Sequence, residues 1–129
     1  MKEKEKKYLI TGIGGMDGTN FTEMLLDKGH KPFGLIRRHS VCEGQDARLS
    51  HLGDKVKTFY GDLLDSSSLE RILKEVMPDY VVHFGAQSMV RVSFDIPGYT
   101  TLTNCLGTVN LLEAYRKICP QARFYLAGS

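Results

Sequence analysis

Short apolar runs alternate along this chain with segments of helical periodicity, and that order leaves few folds open. Tyr8-Leu9-Ile10-Thr11 is an apolar run that ends in glycines. From Gly15 to Lys28 the residues Phe21, Met24 and Leu25 recur at helical spacing, and Gly29 sits where a helix C-terminus wants a glycine. Pro32 to Ile36 reads as a second strand, with Pro32 tolerable at its start. Arg37 to Asp54 is polar and irregular, with one short helix predicted near Arg48 to Leu52. Val56 to Tyr60 predicts a third strand. Ser67 and Glu70 fit a capping box ahead of the stripe Leu69, Ile72, Leu73 and Val76, and Pro78 ends that helix. Tyr80-Val81-Val82-His83-Phe84 is nearly all apolar, as a strand buried on both faces should be. A long loop follows from Gly85 to Gly98. Leu102, Leu106, Val109, Leu111 and Leu112 predict a helix that stops before Pro120, and Arg123 to Ala127 begins a further strand. This alternation predicts an α/β chain with parallel βαβ units and a doubly wound sheet. Right-handed crossovers then bring the strands' carboxyl ends to one edge, where ligands bind.

Composition narrows the partners. A chain of 129 residues suffices for one domain with a buried core. The net charge of +2 is too small to argue for nucleic acid. The basic stretch Lys2 to Lys7 also holds Glu3 and Glu5, so residues 1–7 are expected to be a solvated, charged extension ahead of a domain at 8–129. No apolar run approaches the roughly 20 residues of a membrane span. Cys42, Cys105 and Cys119 form no metal-ligand spacing and no disulfide framework, so no metal site is expected and a reducing, cytoplasmic setting is.

The first strand and first helix are joined by Thr11-Gly12-Ile13-Gly14-Gly15-Met16-Asp17-Gly18. Gly12 permits a tight turn, Gly15 lets a pyrophosphate approach the backbone, and Gly18 allows close helix–strand packing. First-turn N–H groups and the helix dipole favour the anion, which makes Gly12, Gly15, Met16, Asp17 and Gly18 candidate cofactor residues of a Rossmann-type domain. An acidic residue after the second strand would hold the ribose hydroxyl of NAD, whereas arginine accommodates the 2′-phosphate of NADP. Here Arg37 and Arg38 stand at that place and no acidic residue lies between Asp27 and Glu43, so NADP is expected.

The G-x-x-G-x-x-G spacing resembles the short-chain dehydrogenase/reductase superfamily. That likeness implies that Asp62 accepts from the adenine amino group while Leu63 packs on the ring, the alternative being that Asp62 simply serves the turn before the next helix. It also implies that the turn Phe84-Gly85-Ala86-Gln87-Ser88 runs beneath the ribose and nicotinamide, which adds Phe84, Gly85, Ala86 and Ser88 to the candidate cofactor residues.

More specific segments narrow the likeness. Gly-Leu-Ile-Arg-Arg at 34–38, Tyr-Gly-Asp-Leu at 60–63, Gly-Ala-Gln-Ser at 85–88, Val-Ser-Phe-Asp at 92–95, Tyr99-Thr100 and Leu-Leu-Glu-Ala at 111–114 resemble the GDP-mannose 4,6-dehydratase family from about Tyr8 to Ser129. Gly14 and Met16 depart from that family's usual Thr and Gln, and Asn104 stands where it often has Asp. The resemblance adds Tyr99 to the cofactor residues. It implies oxidation at sugar C4, loss of water across C5 and C6, and return of the hydride to C6. It also implies a nucleotide-sugar substrate, most simply GDP-mannose, and a homo-oligomer, dimer or tetramer. Ser129 matches the Ser/Thr that holds the C4 hydroxyl. The Glu and the Tyr-x-x-x-Lys pair that complete such a site do not occur at matching positions, so the chain is expected to be the cofactor-binding piece of a larger enzyme, truncated before its last strands and substrate domain, and inactive alone. Another nucleotide-sugar epimerase, dehydratase or reductase, or a non-catalytic NADP-binding module, are the alternatives.

Overall fold

The computed structural model describes residues 4–36, 55–84 and 105–127. In chain order these form β1 (Lys7–Thr11), α1 (Met16–Asp27), β2 (Lys31–Ile36), β3 (Lys57–Tyr60), α2 (Ser66–Val76), β4 (Tyr80–His83), α3 (Gly107–Ile118) and β5 (Arg123–Leu126). The strands make one parallel sheet in the order β3-β2-β1-β4-β5. The predicted helix near 48–52, the predicted loop at 85–98 and Leu102 lie outside the described residues.

The central strands are apolar on both faces because both faces are covered. Successive strand side chains point to opposite sides. Leu9, Leu35 and Val81 accordingly join Leu69, Ile72, Leu73 and Leu111 of α2 and α3 in one cluster. Their neighbours Ile10, Ile36 and Val82 join Ile13 and Leu25 beside α1 in a second cluster. Each fully buried Leu or Ile contributes roughly 2 kcal/mol, whereas exposed ion pairs such as Lys31–Glu5 and Lys57–Glu75 are worth about 0–1 kcal/mol each. The two clusters therefore carry the fold. Pro32 is tolerated because Lys31 N–H already donates to Lys6 O on the β1 side. The nitrogen of Pro32 thus faces β3, whose pairing begins only at Phe33.

Two expectations need correction, and α3 buries one face of its apolar pattern that the sequence left open. The first strand starts at Lys7 rather than Tyr8. Lys7 Nζ reaches the last carbonyl of α2, Val76 O, at 3.0 Å, and its N–H donates to Asp79. The cap of α2 is Asp65, not the Ser67–Glu70 box. The Asp65 carboxylate accepts from both Ser68 N–H and Ser67 Oγ. Glu70 instead meets Lys117 of α3 at 3.3 Å. Finally, the buried stripe of α3 is Gly107, Leu111 and Ala114. Leu106, Val109 and Leu112 are exposed, since they fall on a different face at three-residue spacing.

Helix α1 ends as Gly29 foretold. Gly29 N–H returns to Leu26 O and His30 N–H to Leu25 O, a Schellman closure. Its other end is constrained by space. A Cβ on Gly18 would stand 2.2 Å from Gly12 O and 2.7 Å from Ile13 Cα, both backbone atoms that cannot swing aside.

Gly18→Ala is expected to destabilise by about 3 kcal/mol or more through that overlap, read as a lowered midpoint in urea; an unchanged midpoint would mean that α1 does not pack as described. Asp65→Ala should lower the thermal midpoint at neutral pH. Hydrogen bonds from Ser67 and Ser68 hold the Asp65 pKa below its usual value. The wild-type advantage over Asp65→Ala is thus complete above the ordinary carboxyl pKa of about 4 and should vanish as pH falls through the depressed one.

Candidate functional site

The carboxyl ends of the parallel strands converge on one edge, and β1 supplies its centre. Gly12 takes a positive φ of 71°, where a residue with a Cβ would be strained, and turns the chain out of the sheet. Gly15 N–H closes the turn onto Gly12 O at 3.0 Å. Ile13 is wholly buried and plugs the turn against β2, where a Cβ on Gly34 would come within 2.7 Å of its side chain. Thr19 Oγ1 donates to Ile13 O at 3.1 Å and anchors the turn to α1.

This leaves α1 starting at an exposed Gly15 with no side-chain cap. The first N–H groups of a helix have no partner within it, and together with the dipole they favour an anion. A Cβ on Gly15 would lie 3.3 Å from Gly12 O, so a larger residue would crowd the turn and cover that end. Met16 is 67% exposed and Asp17 is exposed, both in the first turn, while Gly18 is buried against β1. Glycines 12, 15 and 18 are thus gathered with Met16 and Asp17 into one structure.

The loop after β3 lies along the same edge. Asp62 Oδ1 accepts from Leu64 N–H at 2.9 Å, so its carboxylate shapes the turn into α2. Ser68 Oγ donates to Asp65 O, and Asp65 N–H returns to Asp62 O. Leu63 packs beside the first apolar cluster, and its carbonyl accepts from Asn110 Nδ2 of α3 at 2.8 Å. Phe84 N–H donates to Thr11 O, and the Phe84 ring, packed against the second cluster, makes edge contacts with Phe21 and with the exposed Tyr125. Arg37, Arg38, Gly85, Ala86, Ser88, Tyr99 and Ser129 lie outside the described residues.

Sequence reasoning passed over a buried polar network at this edge. His83, at the end of β4, is bonded through Nδ1 to Thr11 Oγ1 at 2.5 Å and through Nε2 to Thr108 Oγ1 at 3.0 Å. Burial pushes the His83 pKa down, which favours the neutral ring. The signal was available, for Thr11 and His83 are polar residues at the carboxyl ends of otherwise apolar strands. Among the described residues no group of three or more His, Cys, Asp or Glu could hold a metal ion, and no helix is long and apolar enough to cross a membrane. Cys105 is exposed and Cys119 buried, both as free thiols.

Comparison with known proteins gives this edge a family. The family model described as GDP-mannose 4,6 dehydratase matches residues 9–129. Over 134 aligned positions the chain is 45% identical to GDP-mannose 4,6-dehydratase of Vibrio cholerae serotype O1, an alignment covering 97% of this chain and 35% of that protein. The chain thus spans about a third of that relative's length. Among solved structures, the epimerase Mth375 of Methanothermobacter thermautotrophicus superposes with a TM-score of 0.83 at 29% identity, over 98% of this chain and 36% of that one. The UDP-glucose 4-epimerase of Thermus thermophilus, solved in complex with NAD, gives a TM-score of 0.76 at 33% identity, over 87% of this chain and 34% of its own. With a family model running nearly the whole chain and an apolar framework that forms the expected parallel sheet, the chain belongs to the GDP-mannose 4,6-dehydratase family.

Proposed function

We propose that this chain is the cofactor-binding part of an NADP-dependent GDP-mannose 4,6-dehydratase, which converts GDP-mannose to GDP-4-keto-6-deoxymannose. The observation that carries the proposal is the uncapped start of α1 above a glycine turn in which Gly15 and Gly18 both crowd the carbonyl of Gly12. A pyrophosphate suits that place, because the backbone N–H groups of the first turn and the helix dipole both favour an anion. The dinucleotide likeness is supported by the Thermus thermophilus neighbour, which was solved with NAD. The 45% identity to a GDP-mannose 4,6-dehydratase favours dehydration over the epimerase chemistry named for the two structural neighbours at 29% and 33%.

NADP bound there would accept a hydride from sugar C4 and return it to C6, so the cofactor is regenerated within one turnover. The chain's own residues divide the remaining work. Gly12 makes the turn and Gly15 lets the pyrophosphate approach the backbone, while Met16, Asp17 and Gly18, the last packed on the turn, offer the first-turn N–H groups of α1. Arg37 and Arg38, directly after β2, offer forked donors to the 2′-phosphate. Asp62 and Leu63 receive the adenine, with the Asp62 carboxylate held by Leu64 N–H. Phe84, Gly85, Ala86, Ser88 and Tyr99 line the path toward the nicotinamide. Ser129 holds the hydroxyl that loses its proton. A cytoplasmic, homo-oligomeric enzyme completes the proposal.

Arg37→Ala in the intact protein is expected to weaken NADP far more than NAD in a calorimetric titration, by about tenfold to a hundredfold for a lost charge-assisted contact; equal losses would remove the 2′-phosphate role. Incubated with GDP-mannose and NADP, the intact protein should release the 4-keto-6-deoxy product. Ser129→Ala should cut that turnover while leaving NADP affinity nearly intact. Release of an epimer without dehydration would overturn the substrate chemistry, and unchanged turnover in Ser129→Ala would remove Ser129 from the catalytic set.

A further inference from the structure

His83 is 2% exposed, and none of the proposed cofactor contacts uses it. An apolar residue would fill the end of β4 as Val81 and Val82 fill its middle, without requiring hydrogen bonds. Instead both ring nitrogens are engaged, by Thr11 Oγ1 at 2.5 Å and Thr108 Oγ1 at 3.0 Å. A neutral imidazole has one donor and one acceptor, and a hydroxyl can take either part, so both contacts are satisfied in either tautomer. Thr11 immediately precedes the glycine turn, and Thr108 lies in the first turn of α3.

That same end of α3 grips the loop after β3. Asn110 Nδ2 donates to Leu63 O at 2.8 Å. Gly107 approaches Leu63 so closely that an added Cβ would stand 2.9 Å from the Leu63 Cβ. The loop after β3 and the end of β4 therefore both meet one helix terminus, and His83 is the link between that terminus and the end of β1. Backbone bonds add Phe84 N–H to Thr11 O and Ala127 N–H to His83 O.

We infer that His83 is a positioning residue for dinucleotide binding, bridging Thr11 and Thr108 so that the phosphate turn and the adenine-side loop keep one fixed separation. The inference rests on the NADP site proposed above. A ligand that spans two loops binds best when they are already placed, because ordering them on binding lowers affinity. Phosphate turn and adenine loop come from strands on either side of β2, so their separation is not set by neighbouring backbone pairing alone.

The test replaces the hydroxyl partner, which spares the fold the loss of a buried ring. In the intact protein, Thr108→Val should raise the NADP dissociation constant about tenfold in calorimetric titration, and Thr108→Ser should restore it. Tyr115→Phe is the control. It removes a hydroxyl bonded to Ala122 O near the amino end of β5, and should lower the thermal midpoint without moving NADP affinity. Wild-type affinity in Thr108→Val, or equal weakening in Tyr115→Phe, would overturn the bridge while leaving the cofactor site standing. A wild type that binds neither NADP nor NAD would overturn the site itself, and the bridge with it.

Discussion

Burial of β1 on both faces is the constraint from which the rest of this structure follows. Leu9 turns into the cluster under α2 and α3, and Ile10 into the cluster under α1. A strand placed so must have neighbours on both sides, since an unpaired backbone in such a core would leave polar groups without partners. β2 and β4 provide them, in parallel. Parallel pairing then carries each chain exit to the same edge, so the glycine turn, the end of β2 and the end of β4 become neighbours without any contact made for that purpose. Chemistry at the edge is thus a consequence of packing in the middle.

At that edge two polar arrangements coexist and differ in kind. The start of α1 presents backbone N–H groups and a glycine turn to solvent, an unfinished arrangement that an anion would complete. The His83 network is finished internally, each ring nitrogen having its partner. A buried polar group left unsatisfied costs about 1–3 kcal/mol, more than a satisfied hydrogen bond contributes. The network is therefore tolerated by the fold rather than a source of much net stability, and its value lies in geometry. Space enforces the same geometry elsewhere: Gly18 beneath Gly12, Gly34 beneath Ile13 and Gly107 beside Leu63 are contacts where even a methyl group would collide.

Much of this was legible in the residues. Apolar runs of strand length marked the central strands β1, β2 and β4, because two-sided burial requires them; Gly29 and Pro78 marked helix ends, because one closes a left-handed turn and the other cannot continue a helix. Errors arose where several residues offered similar chemistry. Ser67 with Glu70 mimicked a capping box, yet Asp65 caps the helix, since its carboxylate serves both Ser67 and Ser68 while Glu70 is drawn to Lys117 on another helix. In α3 two apolar faces overlap in the pattern, and only packing against Leu63, Leu69 and Leu73 selects the one holding Gly107, Leu111 and Ala114.

By itself the sequence determined the alternating α/β order, the place of the glycine turn and the family, because these depend on local periodicity, on residues with special backbone freedom and on short segments that can be matched. Tertiary structure alone decided the strand order, the cap of α2, the buried face of α3 and the union of Thr11, His83 and Thr108. Those are relations between residues far apart in the chain, and each is settled by which surfaces exclude water together rather than by anything a local run of side chains can express.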